Sequence, residues 1–353
     1  MKSLVINLGG TSTKIGVYDD KNPIIKESIR HDTSEIKKFK QVWDQYEYRK
    51  CSILNFLKVN KINLYDIDFF VSRGPSVKPV ISGTYRIDEN MVTDAKNGNY
   101  GVHVCNLGSG IALEFANENN KIALTCDMPC VDEMISIAKY TGIPDIKRHS
   151  FFQALSHKAV GREVAMEIGK PYEELALVIT HLGSGISVAS HLDGKVIDIT
   201  NGLDGDAPFG MDRSGTLPAA DWKKLILSGK YSNEQLDYFL NGGGGLMAHL
   251  STNNGEEVEK RIDAGDNKAK EVYEAMAFQI SKALGAASAA MGKKPDGIII
   301  TGGLAHSKRF TDMIIERVSW ISKVYVRPDT DELDALNEGT YEAFIGQREI
   351  MQY

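Results

Sequence analysis

At 353 residues the chain is long enough for about two domains, and a composition of 42% hydrophobic and 25% charged residues is that of a globular protein, which excludes disorder, collagen and coiled coil. Lysine plus arginine number 41 against 47 aspartate plus glutamate, so no basic excess is present to attract a nucleic-acid backbone. The longest apolar runs, at residues 175–179 and 297–300, fall far short of the roughly 18 residues that span a bilayer. Met1 leads to Leu4, Val5 and Ile6 without the charged start and cleavage site of a signal peptide, so a soluble, cytoplasmic protein without nucleic-acid or membrane partners is expected. Cys51, Cys105, Cys126 and Cys130 are too few for a disulfide scaffold and lack the paired spacings of zinc sites, and are expected as buried, reduced thiols.

In chain order, residues 4–6 are a strand, Gly9 and Gly10 a turn, and residues 15–18 a second strand, which predicts a hairpin at the amino terminus. Residues 23–29 supply a third strand. Residues 34–60 carry Ile36, Phe39, Val42, Trp43, Tyr46, Ile53, Phe56 and Leu57 at roughly helical spacing. A short buried strand follows at 67–71, then a loop at Arg73, Gly74 and Pro75. Residues 102–115 read as a strand pair turned at Gly108, Ser109 and Gly110.

The second half echoes this order, with strands at 175–180, 186–191 and 196–200 joined by turns at Gly183-Ser184-Gly185 and Asp193-Gly194. Asn106-Leu107-Gly108-Ser109-Gly110-Ile111-Ala112 and His181-Leu182-Gly183-Ser184-Gly185-Ile186-Ser187 are nearly one peptide, which suggests duplication. A long helix spans 266–291, begun by Asp266, ended by Gly292 and apolar along Val272, Met276, Ile280, Ala283 and Ala287. Residues 297–300 form a buried strand ending at Thr301, Gly302 and Gly303. A helix at about 306–320, a strand at 323–327 and a helix at 332–347 close the chain. The strand pattern puts the domain boundary near residue 150, and the last helix can pack back on the N-terminal domain.

Four glycine turns thus follow apolar strands. Glycine exposes backbone N–H groups in the geometry that wraps a phosphate, and Ser, Thr, Asn and Lys stand beside these turns. Neither a P-loop nor a Gly-x-Gly-x-x-Gly opening a helix is present. In the first turn Thr11, Ser12, Thr13 and Lys14 offer hydroxyl and ammonium donors; the plain alternative is a solvated polar turn. Arg73 and Arg213, each in a glycine-containing loop, have the fork that suits carboxylate or phosphate, with a surface ion pair as alternative. Asp127 follows the strand at 122–125, where a carboxylate holds Mg²⁺ through water or caps a helix.

With these residues in view, the chain resembles the acetate and propionate kinase group of acid kinases, and most closely its butyrate kinase branch. The resemblance is carried by segments 4–14, 73–85, 106–108, 181–187, 204–218, 242–246, 301–304 and 331–336. Lys78-Pro79-Val80-Ile81-Ser82-Gly83-Thr84-Tyr85 and Gly242-Gly243-Gly244-Gly245-Leu246 are the stretches that favour butyrate kinase. The fold implied is α/β, a duplicated actin-like, ribonuclease H-like ATPase fold: two domains, 1–150 and 151–353, each with a central mixed sheet, and the nucleotide between them. The resemblance implies ATP or ADP bound by Asn7, Gly10, Thr11, Ser12, Lys14, Gly183, Gly185, Gly302 and Gly303, and catalysis by Arg73, Asp127, His181 and Arg213. Asp127 and Glu332 would place Mg²⁺, partly through water, and a homo-oligomer, dimer or larger, is implied. Relatives have histidine where this chain has Gln153, which donates a hydrogen bond but carries no charge.

A short-chain carboxylic acid has a pKa near 4.3, the value of a glutamate side chain, so it is ionised at neutral pH and needs no general base. The difficulty is the approach of two anions, which two arginines and Mg²⁺ would offset. The reaction expected is reversible Mg-ATP plus butanoate to ADP plus butanoyl phosphate by direct in-line transfer. The same chemistry on acetate, propionate or a branched acid such as isobutanoate is the near alternative. A catalytically weak ATP-binding regulator is the distant one, disfavoured by the presence of Arg73, Arg213 and Asp127.

Overall fold

Strand β1 (Lys2–Leu8) pairs antiparallel with β2 (Ser12–Asp19), Leu4 opposite Val17 and Ile6 opposite Ile15, and β3 (Asn22–Arg30) extends the meander. The structure, a computed structural model, describes residues 1–328 and 330–353. After the helix Tyr46–Val59 come β4 (Phe69–Ser72) and β5 (Thr84–Arg86), and after two more helices β6 (Ile122–Cys126). Strands β4 and β6 lie parallel to β1. In the second half β7 (Ala176–Leu182), β8 (Ile186–Leu192) and β9 (Lys195–Ile199) repeat the antiparallel meander, while β10 (Gly297–Thr301) and β11 (Val324–Arg327) run parallel to β7. With β12 (Ile350–Met351), the sheets are ordered β12-β5-β6-β4-β1-β2-β3 and β11-β10-β7-β8-β9. The five strands β6-β4-β1-β2-β3 therefore match β11-β10-β7-β8-β9 in order and direction, so the echo of strand pattern between the halves holds, whereas the two near-identical peptides 106–112 and 181–187 fall at non-equivalent places.

The chain divides into two compact units, Met1–Val131 with Asp331–Tyr353, and Asp132–Thr330. Residues 132–150, assigned to the first half from the strand pattern, thus belong to the second unit, and the last helix belongs to the first. That helix, Glu332–Phe344, is fixed on the first sheet by Ser3 donating to Asn337 (2.6 Å), by Asn337 donating to the Asp20 carbonyl (2.8 Å) and by the stacked rings of Phe69 and Phe344 (4.4 Å). In the first unit Leu4, Ile6, Ile15, Val17 and Phe70 bury against Ile53, Phe56, Ile111 and Phe115. In the second, Val178, Val188, Ile298 and Ile300 bury against Val272, Met276, Ile280, Phe310 and Ile314. Each such side chain contributes roughly 1.5–3 kcal/mol on burial. The helix Ala154–Ile168 covers the opposite face of the second sheet through Val160 and Val164 on Leu177, Ile179 and Ile299.

Three expectations are corrected. Residues 102–115 are not a strand pair: the segment is the helix Cys105–Glu118, with Leu107, Ile111 and Phe115 on one buried line. Gly108 sits mid-helix because a Cβ there would lie 2.4 Å from the Ser72 hydroxyl, so the missing side chain lets the helix close on β4. The segment 34–60 is not one helix but a turn at Thr33–Ile36, a 3₁₀ turn at Val42–Gln45 and the helix Tyr46–Val59; Asp44 reaches back to the Gln41 N–H (3.0 Å) and restarts the chain there. Cys51 is exposed, whereas Cys105, Cys126 and Cys130 are buried, and none of the four is in a disulfide; burial pushes the Cys105 and Cys130 thiols up to about 11.

Candidate active site

In the first unit the carboxyl ends of parallel β1, β4 and β6 lie side by side, and each carries, at its end or just after it, a polar residue named from the sequence. Asn7 is the penultimate residue of β1, Arg73 follows β4, and Asp127 follows β6. Two strand spacings, about 10 Å, separate the outer pair. Such ends are where open α/β sheets bind ligands, since loops can splay there without disturbing the ladder. The loops after β4 and β6 touch: a Cβ on Gly74 would overlap the Met128 side chain at 2.1 Å and approach its Cα to 3.0 Å.

Glu332, at the first position of its helix, joins this group. Its carboxylate accepts from Asn7 Nδ2 at 2.7 Å, pairs with Arg73 Nη1 at 3.0 Å and lies 3.8 Å from Lys14 Nζ. Asn7, Lys14, Arg73 and Glu332, which lie up to 325 residues apart in sequence, are therefore one cluster. Asp127, buried at a positive φ of 43°, accepts from the Ser82 hydroxyl (2.6 Å) and the Gly83 amide (3.2 Å), so the segment 78–85 holds its side chain in place. Mg²⁺ keeps several waters and takes one or two carboxylates beside substrate phosphates. The pair Asp127 and Glu332 fits that donor set, with Glu332, enclosed by three cationic or amide donors, suited to act through water.

Beside the cluster, the turn at Gly9–Ser12 is shaped by its carbonyls. The Gly9 amide donates to Ser12 O (2.8 Å), the His31 amide to Thr11 O (2.9 Å), and the Arg49 guanidinium to Gly10 O (2.8 Å) and Ser12 O (3.0 Å). Gly10 and Thr11 are exposed, and among the described residues their amides have no hydrogen-bond partner. Arg49 and His31 were not singled out from the sequence. The available signal was Arg49, Ile53, Phe56 and Leu57 at i, i+4, i+7 and i+8, which places a charged residue on the buried face of a helix. Burial and the nearby Arg49 lower the His31 ring to about 4.

The turn expected at Asn106–Gly110 is absent, being helix. Asn106 is buried and its side chain is fully used: Oδ1 accepts from the Ser76 amide (3.0 Å), and Nδ2 donates to the Ala95 and Gly101 carbonyls (2.9 and 3.1 Å). It braces the loop after Arg73.

In the second unit β7 and β10 end together, His181 opposite Thr301. The β7–β8 turn is Gly183-Ser184-Gly185, closed by the Gly183 amide on Gly185 O (3.2 Å). Gly302, at φ 93°, packs against the same strand end; a Cβ would lie 2.7 Å from Leu182 O, so a left-handed, crowded backbone requires glycine here. Nothing lies within 4 Å of a Cβ on Gly303. Arg213 folds across Gly185, its Cγ 3.5 Å from where a Cβ would stand. Its Nε donates to Asp212 (3.1 Å), and Asp212 in turn accepts from the Ser184 hydroxyl (2.5 Å) and Asn253 (3.3 Å). Arg213 Nη1 is buried with no hydrogen-bond partner among the described residues. The glycine run 242–245 supports this loop: the Gly242 and Gly244 amides donate to Asp212 O (2.8 and 3.2 Å).

Behind His181 lies a buried chain that sequence reading missed. Tyr172 OH meets His191 Nδ1 at 2.6 Å, His191 Nε2 meets His157 Nδ1 at 3.3 Å, and His157 Nε2 meets Ser187 Oγ at 2.9 Å. The His157 ring stacks on His191 at 5.5 Å and lies 6.5 Å from His181. Gln153 precedes this helix, its carbonyl accepting from the His157 amide (2.9 Å). Burial first, then neighbouring cationic groups, hold His157 and His191 well below the usual histidine range. Among the described residues no cluster of three or more metal-ligating side chains occurs, and no helix is long and apolar enough to cross a membrane.

Over residues 135–347 the chain matches the sequence model of the acetokinase family. Its structure is similar to that of Porphyromonas gingivalis acetate kinase, at 17% identity over 96% of this chain and 98% of that one, with a TM-score of 0.78. It is similar also to a propionate kinase from Francisella tularensis subsp. tularensis SCHU S4 (18% identity, 96% and 99% covered, TM-score 0.75) and to acetate kinase from Entamoeba histolytica (16%, 96% and 99%, 0.77). At these identities the likeness is one of fold, and the fold is the duplicated actin-like α/β architecture expected from the sequence.

Proposed function

Because the chain belongs to the acetokinase family of short-chain carboxylate kinases, we propose that it catalyses the reversible transfer of the γ-phosphoryl group of ATP to butanoate, giving ADP and butanoyl phosphate. One observation carries the reading: Arg213 is fixed through Nε by Asp212 while a buried Nη1 donor is left over, the arrangement of a guanidinium waiting for an anionic oxygen. Arg73, held at the end of β4, is the second cation. A carboxylate oxygen attacks the γ-phosphorus in line as the bond to the β–γ bridging oxygen breaks; the electron pair leaves on ADP, and no proton moves because the acid is already ionised. The amides of the first turn, Lys14 and Ser12 receive phosphate oxygens, and the turn at Gly183 and Gly185, headed by His181, is the phosphate-binding turn of the second unit. Gly303 leaves open backbone for adenosine, beside Gly302, whose own role is packing. Mg²⁺ held by Asp127, and by Glu332 through water, would offset phosphate charge.

Four carbons as the preferred length rests on the resemblance of segments 78–85 and 242–246 to butyrate kinase. One methylene is worth only about 1–3 kcal/mol in a pocket. The test is a coupled ADP-release assay with Mg-ATP and acetate, propionate, butanoate, isobutanoate or valerate, run beside Arg213→Ala. Turnover peaking at four or five carbons, and lowered at least about a hundredfold in the variant, is expected. A peak at acetate would move the assignment to that acid, and nucleotide binding without turnover on any acid would overturn it in favour of a regulator. A cytoplasmic homo-oligomer is part of the proposal; a lone 38.9 kDa species in sedimentation would end it.

A further inference from the structure

We propose that Arg49 is the positioning residue of the first phosphate turn: from behind, its guanidinium draws the carbonyls of Gly10 and Ser12 inward, so that the turn's amides face the nucleotide. This rests on the reading of residues 9–14 as a nucleotide-phosphate site.

The argument begins with peptide planarity. In a trans peptide the carbonyl of one residue and the N–H of the next point in opposite directions. Gly10 O is held by Arg49 Nη2 (2.8 Å), so the Thr11 N–H points away from that guanidinium; the Gly10 N–H, next to it in sequence, is likewise without a hydrogen-bond partner among the described residues. These two successive amides, of Gly10 and Thr11, are the donors the turn offers to an anion. Ser12 O is held by both Arg49 Nη1 (3.0 Å) and the Gly9 amide (2.8 Å), which closes the turn.

Arg49 is suited to this and to little else. It is fully buried, and its remaining partners are Gln45 Oε1 (3.1 and 3.3 Å) and Thr13 Oγ1 (3.2 Å). Among the described residues it has no carboxylate partner. A buried cation is costly without compensation, and its partners here are backbone and neutral oxygens only. The compensation the site lacks is an anion on the far side of the turn, which a phosphate would provide. The same guanidinium thus orients the donors and adds positive charge behind them. Lysine could bring the charge but not a fork reaching two carbonyls.

The test uses the full chain. ADP affinity is measured by titration calorimetry and adenosine affinity by competition, for wild type, Arg49→Gln and Arg49→Lys, with urea stability alongside. Arg49→Gln should bind ADP at least about tenfold more weakly, with adenosine changed less than about twofold, and the KM for MgATP should rise while that for the acid does not. Arg49→Lys should fall between, about threefold weaker than wild type for ADP; it decides the matter if Arg49→Gln does not fold. A merely structural arginine would weaken both ligands together, or neither, and either outcome overturns the proposal. A wild-type protein whose ADP affinity is no greater than its adenosine affinity would instead overturn the phosphate-turn reading, and this proposal with it.

Discussion

Acid should destabilise this protein through two histidines at the back of the second phosphate turn. Tyr172, His191, His157 and Ser187 form a chain in which the Tyr172 hydroxyl meets His191 Nδ1, His191 Nε2 meets His157 Nδ1, and His157 Nε2 meets Ser187 Oγ, so that in either direction of donation each ring gives one N–H and accepts at its other nitrogen. Each ring is neutral in that pattern, and with both rings doubly protonated the two nitrogens that face each other would set a donor against a donor. Burial, with His181 and Lys158 near one ring and Lys158 and Arg162 near the other, holds both well below the usual range. In the unfolded chain each titrates near 6.5. A base whose folded pKa is depressed has its native state intact above the unfolded value, and stability is lost as pH falls below it, because only the unfolded chain takes up the proton. Between pH 7.5 and 5.0 the loss is about 2 kcal/mol per histidine, or about 4 kcal/mol for the pair. Urea unfolding followed by circular dichroism across that range measures it. Carboxylates add their own dependence, so the decisive comparison is with His191→Asn. That variant should be less stable at pH 7.5 by about 1–3 kcal/mol, having lost buried hydrogen bonds, yet lose about 2 kcal/mol less than wild type on acidification. Equal losses in the two proteins would refute the claim that these rings stay neutral.

Two further substitutions probe the site. Gly302→Ala places a Cβ 2.7 Å from Leu182 O and 2.8 Å from Leu182 N at a φ of 93°, and should cost about 3 kcal/mol in thermal unfolding, whereas Gly303→Ala, with open space, should leave stability within about 1 kcal/mol and raise the KM for ATP; an unchanged melting temperature for Gly302→Ala would be contrary to this packing. Glu332→Gln removes the carboxylate shared by Arg73, Asn7 and Lys14, and should lower stability by about 1.5–3 kcal/mol and turnover by at least about tenfold, read from urea titration and the ADP-release assay; full activity would place Glu332 outside the working site.

Why part of this was legible and part was not is best seen in one pentapeptide. Leu-Gly-Ser-Gly-Ile occurs at 107–111 and again at 182–186. At 182–186 it is a strand end, a turn and a strand start; at 107–111 it is mid-helix. The pentapeptide itself is neutral, so the flanks decide. After Ile186 come Ser187 and the β-branched Val188, and before Leu182 stand the β-branched Val178, Ile179 and Thr180, which suit a pleated ladder. After Ile111 come Ala112, Leu113, Glu114 and Ala116, strong helix formers that bring Leu107, Ile111 and Phe115 into line. The glycines, read as turn signals at both places, serve in the helix to bring it against Ser72 and beside Trp43 and Tyr46. The strands and the polar residues near their ends were readable because apolar runs and the residues that stop them are local features. Thus Arg73 and Asp127 could be named from strand ends and Arg213 from its glycine-rich loop, while the roles of Asn7 and His181 came with the family resemblance. The cluster on Glu332, the brace of Arg49 and the histidine chain depend on pairings between residues 19 to 325 positions apart, or on a burial that no local pattern reports. What sequence did offer was the anomaly itself: a charge or an imidazole on the apolar face of a helix. In this protein those anomalies, Arg49 and His157, stand directly behind the two glycine turns.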